Sequence, residues 1–255
     1  MAITITIGIQ KGGSAKTTTS GVLSYLLSEE HNYKVLAVDM DSQGNLTEMI
    51  TQQDVETFRE RSILEALQEQ NPKEYIYPYS QNLHLLPAED LLATFSRWLY
   101  IDYKGLNHSL VLKSTLDKVK DQYDFIIIDT PPALGDQTIN ALFASDYVVT
   151  MFETGQFCYS ALSRFFETIE AVQKRKNDLK VAGILCSMID NRRSDNQEYL
   201  KLVQEEYGNI TFQTVIQRRA ATGRLAVFGF HDNKELDQAV EQYREFTKEL
   251  IDRVQ

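Results

Sequence analysis

Residues 3–20 read ITITIGIQKGGSAKTTTS, and no other stretch restricts the fold as tightly. A β-rich run, Ile3–Ile9, stops at Gln10-Lys11-Gly12-Gly13-Ser14-Ala15-Lys16-Thr17-Thr18 and gives way to a helical pattern carrying Val22, Leu23, Leu26 and Leu27. A loop between a buried strand and a helix brings backbone N–H groups to the helix start, an end with partial positive charge that binds phosphate. Two glycines, Gly12 and Gly13, let the backbone approach an anion closely. Lys16 is placed to reach the β- and γ-phosphates, and the Thr17 hydroxyl to ligate Mg²⁺. The common spacing GxxxxGK[ST] is not met, because Gln10 and Ala15 stand where its glycines belong. What is met is KGGxxK[ST], with an extra lysine, Lys11, at the start of the loop.

Taken alone, such a loop also reads as a Lys/Gly/Thr-rich surface turn that caps a helix. Two further segments decide against that. Val35–Asp39 is an apolar run followed by Met40-Asp41, and Phe125–Asp129 is another that ends on its aspartate. An apolar strand that stops at aspartate sets a carboxylate at the carboxyl edge of the sheet, where open parallel sheets bind ligands. One such aspartate is ordinarily a helix cap; three of them beside a phosphate loop are not explained that way.

Further β-rich runs at Leu83–Leu86, Tyr147–Phe152, Val181–Ser187 and Thr211–Ile216 alternate with helical patterns at Thr17–Glu30, Ser62–Glu69, Asp90–Tyr100, Leu110–Gln122, Ser160–Lys176, Asn196–Glu206 and Glu235–Val254. Near-continuous apolar strands alternating with helices imply an α/β, doubly wound, mostly parallel sheet with helices on both faces. Gln52–Gln81 is polar and irregular and reads as a surface excursion. At 255 residues the chain can bury a large core without staples. We expect one domain over 1–255. No run approaches the roughly 18 apolar residues of a membrane span. The two cysteines, Cys158 and Cys186, have no metal spacing and read as buried thiols of a reducing, cytoplasmic protein.

The motifs together resemble the ParA/MinD family of deviant-Walker ATPases, most closely the ParA-type DNA-segregation ATPases. The resemblance runs through VLAVDMDSQGNLT (Val35–Thr47), LHLLPAEDLL (Leu83–Leu92) and FIIIDTPPALGDQTINAL (Phe125–Leu142) and covers effectively the whole chain. It implies a P-loop NTPase architecture of the SIMIBI type, ATP and Mg²⁺ as ligands, weak intrinsic ATPase activity, and a face-to-face homodimer on ATP binding. It makes Lys11, Lys16 and Asp41 the catalytic set: Lys16 the Walker A lysine, Lys11 the signature lysine that reaches the partner's phosphates, and Asp41 the acid that positions the attacking water. Thr17 becomes a Mg²⁺ ligand and Asp129 the Walker B acid near it, acting through water. Lys11–Thr18 would cradle the phosphates, with Gly12 kept small for close dimer approach, and Asn191, Gln217 and Arg218 would contact the nucleotide.

Three departures from the family pattern stand out. Ala15 replaces a glycine, and it is strained if the loop needs φ > 0 there. Glu153-Thr154-Gly155 lacks the usual proline, and Gln217 stands where the family often has one.

The family binds DNA without sequence preference, whereas this chain carries 26 Lys+Arg against 36 Asp+Glu, a net charge of −10. That balance argues against nucleic acid and anionic membranes. Locally, Ile216–Phe230 carries Arg218, Arg219 and Arg224 and no acid, and Arg192-Arg193 add two more arginines. These five are the expected DNA contacts. By resemblance one family DNA-contact arginine falls on Arg192 and a second on Ala221, with Arg219 and Arg224 as neighbours.

The rival reading is a MinD-like positioning ATPase acting at the membrane or on another cargo. It needs a basic amphipathic C-terminal helix, yet Asn233–Gln255 holds four basic and six acidic residues. No cysteine pair suits an iron–sulfur dimer, and no sign of a further substrate pocket points to a biosynthetic ligase. The loop begins about ten residues into the chain, which leaves no room for an N-terminal helix-turn-helix domain. The expected partner is therefore a separate ParB-like centromere-binding protein with a basic activating segment, and the expected location is cytoplasmic, on the nucleoid when ATP is bound.

Overall fold

The computed structural model describes residues 1–154, 156–176, 178–189 and 194–255. Eight strands form one sheet: β1 (Ile3–Gly8), β2 (Val35–Asp39), β3 (Tyr77–Pro78), β4 (Leu83–Leu86), β5 (Phe125–Asp129), β6 (Tyr147–Glu153), β7 (Lys180–Ile189) and β8 (Thr211–Gln217). Their order is β3-β4-β2-β5-β1-β6-β7-β8. All pairs are parallel except β3 with β4. The helices are α1 (Lys16–Tyr25), α2 (Asn45–Thr51), α3 (Ile63–Glu69), α4 (Phe95–Ile101), α5 (Val111–Leu116), α6 (Asp136–Ala144), α7 (Gln156–Gln173), α8 (Ser194–Tyr207), α9 (Ala220–Gly223), α10 (Leu225–Phe228) and α11 (Leu236–Val254).

The sheet separates two apolar layers. Val35 and Ala37 of β2 and Phe125 and Ile127 of β5 join one layer with Leu23 of α1 and Phe246 of α11. Leu36, Val38, Ile126 and Ile128 point the other way, toward Leu67 of α3, Phe95 of α4 and Leu112 of α5. This period-two division of fully buried strands follows from the pleat. It also explains why their sequences are nearly continuous apolar runs. β1 alternates instead, and its polar side is buried too: the Thr6 hydroxyl pairs with that of Ser145 at 2.7 Å, and Thr4 N–H donates to the Asp146 carboxylate at 2.8 Å.

All seven expected strands are present, with β3 added inside the polar excursion. Several expected helices are shorter. Thr17–Glu30 divides into α1 and a π-turn at Leu26–Glu30. Asp90–Tyr100 begins as a 3₁₀ turn before α4, and Leu110–Gln122 keeps only α5 as regular helix. Helices α2, α6, α9 and α10 lie where the sequence pattern predicts no helix. Among the described residues no helix is long and apolar enough to cross a membrane.

Candidate functional site

β1 lies between β5 and β6, while the chain leaving it crosses over β5 to reach β2. The loop after β1 therefore opens at the carboxyl edge where strand order reverses, the position at which open parallel sheets take ligands. Residues 12–18 line a cleft of about 640 Å³ there, with Asp41, Gln217 and Arg218 on its other walls.

Gly13 has φ +77° and Ala15 has φ 61°, ψ 24°, so the backbone turns twice through the left-handed region before entering α1. Ala15 thus occupies the conformation in which a side chain is strained. The helix it precedes has no side-chain cap and no acid in its first turn. Its leading N–H groups are left for an anion. No described atom lies within 4 Å of a Cβ built on Gly12 or Gly13, so the cradle is open above the loop.

Lys16 is 6% exposed and donates from Nζ to the Lys11 carbonyl at 2.8 Å. Burial lowers its pKa, while Asp129 and Asp41 oppose that shift. Asp129 is fully buried at the end of β5 and accepts from the Thr17 hydroxyl at 2.7 Å on one oxygen and from Ser20 at 2.8 Å on the other. Its register neighbour Asp39 is also fully buried. Burial raises the pKa of both carboxyls, and the charge of Asp129 pushes Asp39 up further. Two adjacent buried carboxylates are costly to ionise together. A divalent cation at this edge relieves that cost. The Thr17 hydroxyl spends its proton on Asp129 and keeps its lone pairs for a metal. The residues present therefore fit a magnesium ion, which the Thr17 hydroxyl would ligate while Asp129 holds that hydroxyl in orientation.

Asp41 is 8% exposed on the cleft wall, and its Oδ1 accepts from Gln43 N–H at 3.1 Å. Asp39 fixes this loop from beneath. It accepts from Asp41 N–H at 3.1 Å and from the Thr47 N–H and hydroxyl at 2.9 and 2.8 Å. Asp39, Ser20 and Thr47 are thus positioning residues beneath the site. The first was visible as an acidic strand end. The other two lie on the buried faces of α1 and α2, where Ser and Thr look like ordinary helix residues.

The remaining candidates are placed as follows. Gln217 ends β8 and donates its N–H to Gln242 Oε1 at 3.1 Å, while Arg218 N–H donates to the Ile189 carbonyl at 3.0 Å. Both sit beside Met188, Ile216, Thr222 and Tyr243 on the less polar wall of the cleft. Lys11 Nζ lies 3.2 Å from Glu153 Oε2, and Arg218 lies 3.8 Å from Glu153 Oε1. Arg219 pairs with Glu241 and Arg224 with Glu235. Asn191, Arg192 and Arg193 fall outside the described residues. Cys186 is buried in β7, and burial pushes its thiol up to about 12.

A phosphate loop between a central parallel strand and a helix, with a buried aspartate at the end of the adjoining strand, defines a P-loop nucleoside triphosphatase fold. Residues 2–181 match the AAA domain family. Together with the relatives below, that match shows that the chain belongs to the ParA/MinD family of deviant-Walker ATPases. It is 35% identical to the sporulation initiation inhibitor protein Soj of Bacillus subtilis over 84% of this chain and 83% of that protein. It is 32% identical to the chromosome partitioning protein ParA of Myxococcus xanthus over 98% and 88%. Among solved structures, cobyrinic acid a,c-diamide synthase of Mycobacterium smegmatis with bound ADP and magnesium is similar at 31% identity and a TM-score of 0.74, over 81% of this chain and 83% of that one.

Proposed function

We propose that this chain is a ParA-type ATPase for DNA segregation, on a plasmid, chromosome or mobile element. In this reading it binds ATP with Mg²⁺ in the cleft, pairs face to face with a second copy, and holds DNA without sequence preference. Hydrolysis stimulated by a ParB-like partner resets it. The observation that carries the nucleotide part is the convergence of Lys16, Thr17, Asp129 and Asp41 on one uncapped helix start. The segregation part is supported by similarity to Soj and to the Myxococcus ParA.

Phosphoryl transfer demands positioning and cancellation of developing charge more than covalent help. Lys16 supplies a buried ammonium with little water to shed, so its charge acts at full strength on phosphate oxygens. Thr17 and Asp129 hold the cation site in orientation. Magnesium held there by the Thr17 hydroxyl would supply positive charge against the developing negative charge of the phosphates. Asp41, tied into its loop through Asp39, offers a carboxylate at the cleft wall to orient an attacking water. Lys11 of a second copy supplies the last positive charge in trans. Gly12 fits that reading, because a side chain there meets nothing within its own protomer. The single domain over 1–255, and operator recognition left to a partner protein, belong to the same proposal.

The deciding experiment measures ATP hydrolysis with and without DNA and a candidate partner. Lys16→Ala is expected to lose nucleotide binding. Asp41→Ala is expected to retain binding and lose turnover by at least about a hundredfold, as for loss of a water-positioning acid. A parent that hydrolyses no ATP under any condition would leave a binding switch in place of an ATPase.

A further inference from the structure

Glu153 is the last residue of β6, and its carboxylate divides between Lys11 at the start of the phosphate loop and Arg218 on the cleft wall. Oε2 lies 3.2 Å from Lys11 Nζ and Oε1 lies 3.8 Å from Arg218. The two cations reach it from opposite sides, Lys11 from the loop after β1 and Arg218 from the end of β8. The Glu153 side chain is 20% exposed and that of Lys11 33%, so solvent weakens the pair without dissolving it. A neighbouring tether holds the same corner. Ser187, the register partner of Glu153 on β7, donates to the Ser14 carbonyl of the phosphate loop at 3.0 Å. The loop is thus tied to β6 through charge and to β7 through a buried hydroxyl.

We infer that Glu153 is a positioning residue that acts as a built-in counter-ion for Lys11 and Arg218, yielding Arg218 to an entering nucleotide polyphosphate and Lys11 to the nucleotide of a second copy. The inference rests on the nucleotide reading of the cleft. An entering polyanion meets a carboxylate already facing Arg218 on the cleft wall. Binding then proceeds by exchange of one anion for another, and the displaced carboxylate stays close to phosphate charge, which costs affinity. The same contact keeps Lys11 folded onto its own chain. A lysine so held reaches a second copy only after Glu153 has let it go. Glu153 therefore raises the ATP concentration at which the chain binds nucleotide and assembles.

The test compares the parent with Glu153→Gln, which keeps the shape and removes the charge. Glu153→Ala serves as a second variant in which no amide can hold Lys11, and thermal melting confirms folding of both. The first measurement is the acetylation rate of Lys11 in nucleotide-free protein, read by mass spectrometry against the other lysines. Loss of a part-exposed ion pair is expected to raise that rate about three- to five-fold, with the gap closing as salt is raised. The second is MgATP affinity by equilibrium dialysis, expected to tighten about three- to five-fold in the variants. The dimerisation midpoint should move to lower ATP by a similar factor. A lysine that labels at the parental rate in both variants overturns the pairing, and unchanged ATP affinity overturns the exchange. A parent that binds no ATP defeats the nucleotide reading and the exchange with it, while the acetylation arm still decides whether Glu153 holds Lys11.

Discussion

Ala15 sits at φ 61° one residue before Lys16, in a conformation that costs a side-chain-bearing residue about 1–2 kcal/mol. Glycine removes that cost but loses about 0.4–1 kcal/mol through the freedom it gains unfolded. Ala15→Gly is therefore expected to stabilise the protein by about 0.5–1 kcal/mol, which for a chain of this size raises Tm by about 1–4 °C. Calorimetry of the nucleotide-free protein checks the sign. The same relief is expected to speed turnover, and a variant no faster than the parent would show that loop strain does not limit the rate. Two residues further on, Thr17 makes a different demand. Its hydroxyl donates to Asp129, which leaves its oxygen lone pairs available as a ligand, and Thr17 lines the cleft. Thr17→Val removes both at once. The magnesium-dependent part of ATP affinity should fall at least about tenfold, the scale of losing one charge-assisted contact. Affinity measured in EDTA should change far less. Equal losses with and without magnesium would mean that Thr17 acts through packing alone.

β8 closes the sheet, and what happens there depends on a whole helix. From Ile184↔Thr211 to Cys186↔Val215 the pairing advances two residues on β7 and four on β8. The extra residues leave backbone donors without a strand partner, and a donor left bare is costly. Helix α11 takes them up. Glu249 accepts from the N–H groups of Gln213 and Thr214 at 2.8 and 3.1 Å, and from the Thr214 hydroxyl at 3.0 Å. Arg253, which pairs with Glu249, donates to the carbonyls of Ala182, Ile210 and Thr211. Burial pushes the Glu249 carboxyl up, but these donors and Arg253 outweigh it and leave the pKa below the ordinary glutamate range. A carboxyl lowered on folding stabilises above its unfolded pKa of about 4.3 and loses that contribution as pH falls through its folded value. Glu249→Gln should thus cost about 1 kcal/mol at neutral pH, discounted for partial exposure, and progressively less as pH falls through the folded pKa. Melting curves across pH 3–7 that stay parallel for parent and variant would remove Glu249 from this role. None of this was legible in the sequence, where Glu249 is one of six acids on an amphipathic helix. Strands were legible because full burial on both faces writes an apolar run. Long helices such as α7 and α11 were legible through their period. Helices α2 and α6 were not, because each spans under three turns and starts inside a loop read for its chemistry. The phosphate loop and its acids were readable since backbone geometry and charge at a strand end leave few residue choices. The tethers beneath them were not, since Ser20, Thr47 and Ser187 gain meaning only from what lies opposite.

Over the whole molecule, charge raises the sharpest question about nucleic acid. The chain is −10 overall, yet Ile216–Phe230 is locally positive through Arg218, Arg219 and Arg224. In the folded chain each of these three faces a carboxylate from elsewhere: Glu153 of β6 for Arg218, Glu241 of α11 for Arg219, and Glu235 beside α11 for Arg224. The local excess in the sequence is therefore largely cancelled in space. Surface pairs of this kind are worth about 0–1 kcal/mol, so DNA phosphates can compete for the arginines, but each exchange leaves a carboxylate facing the duplex. The proposed two-fold dimer would double both the arginines and this penalty. ATP-dependent DNA binding is then expected to be weak and readily lost with salt, with a slope of about −0.9 per phosphate neutralised. Removing the competing acids should strengthen it. In Glu235→Gln/Glu241→Gln, affinity at fixed salt should rise about three- to tenfold, the gain from relieving two such carboxylates. In Arg218→Ala/Arg219→Ala, affinity should fall and the slope become shallower, since fewer phosphates are neutralised. A salt series with the ATP-bound dimer reads both. If neither pair of substitutions moves affinity or slope, the exit of β8 is not the DNA face, and the arginines there serve only the fold and the nucleotide.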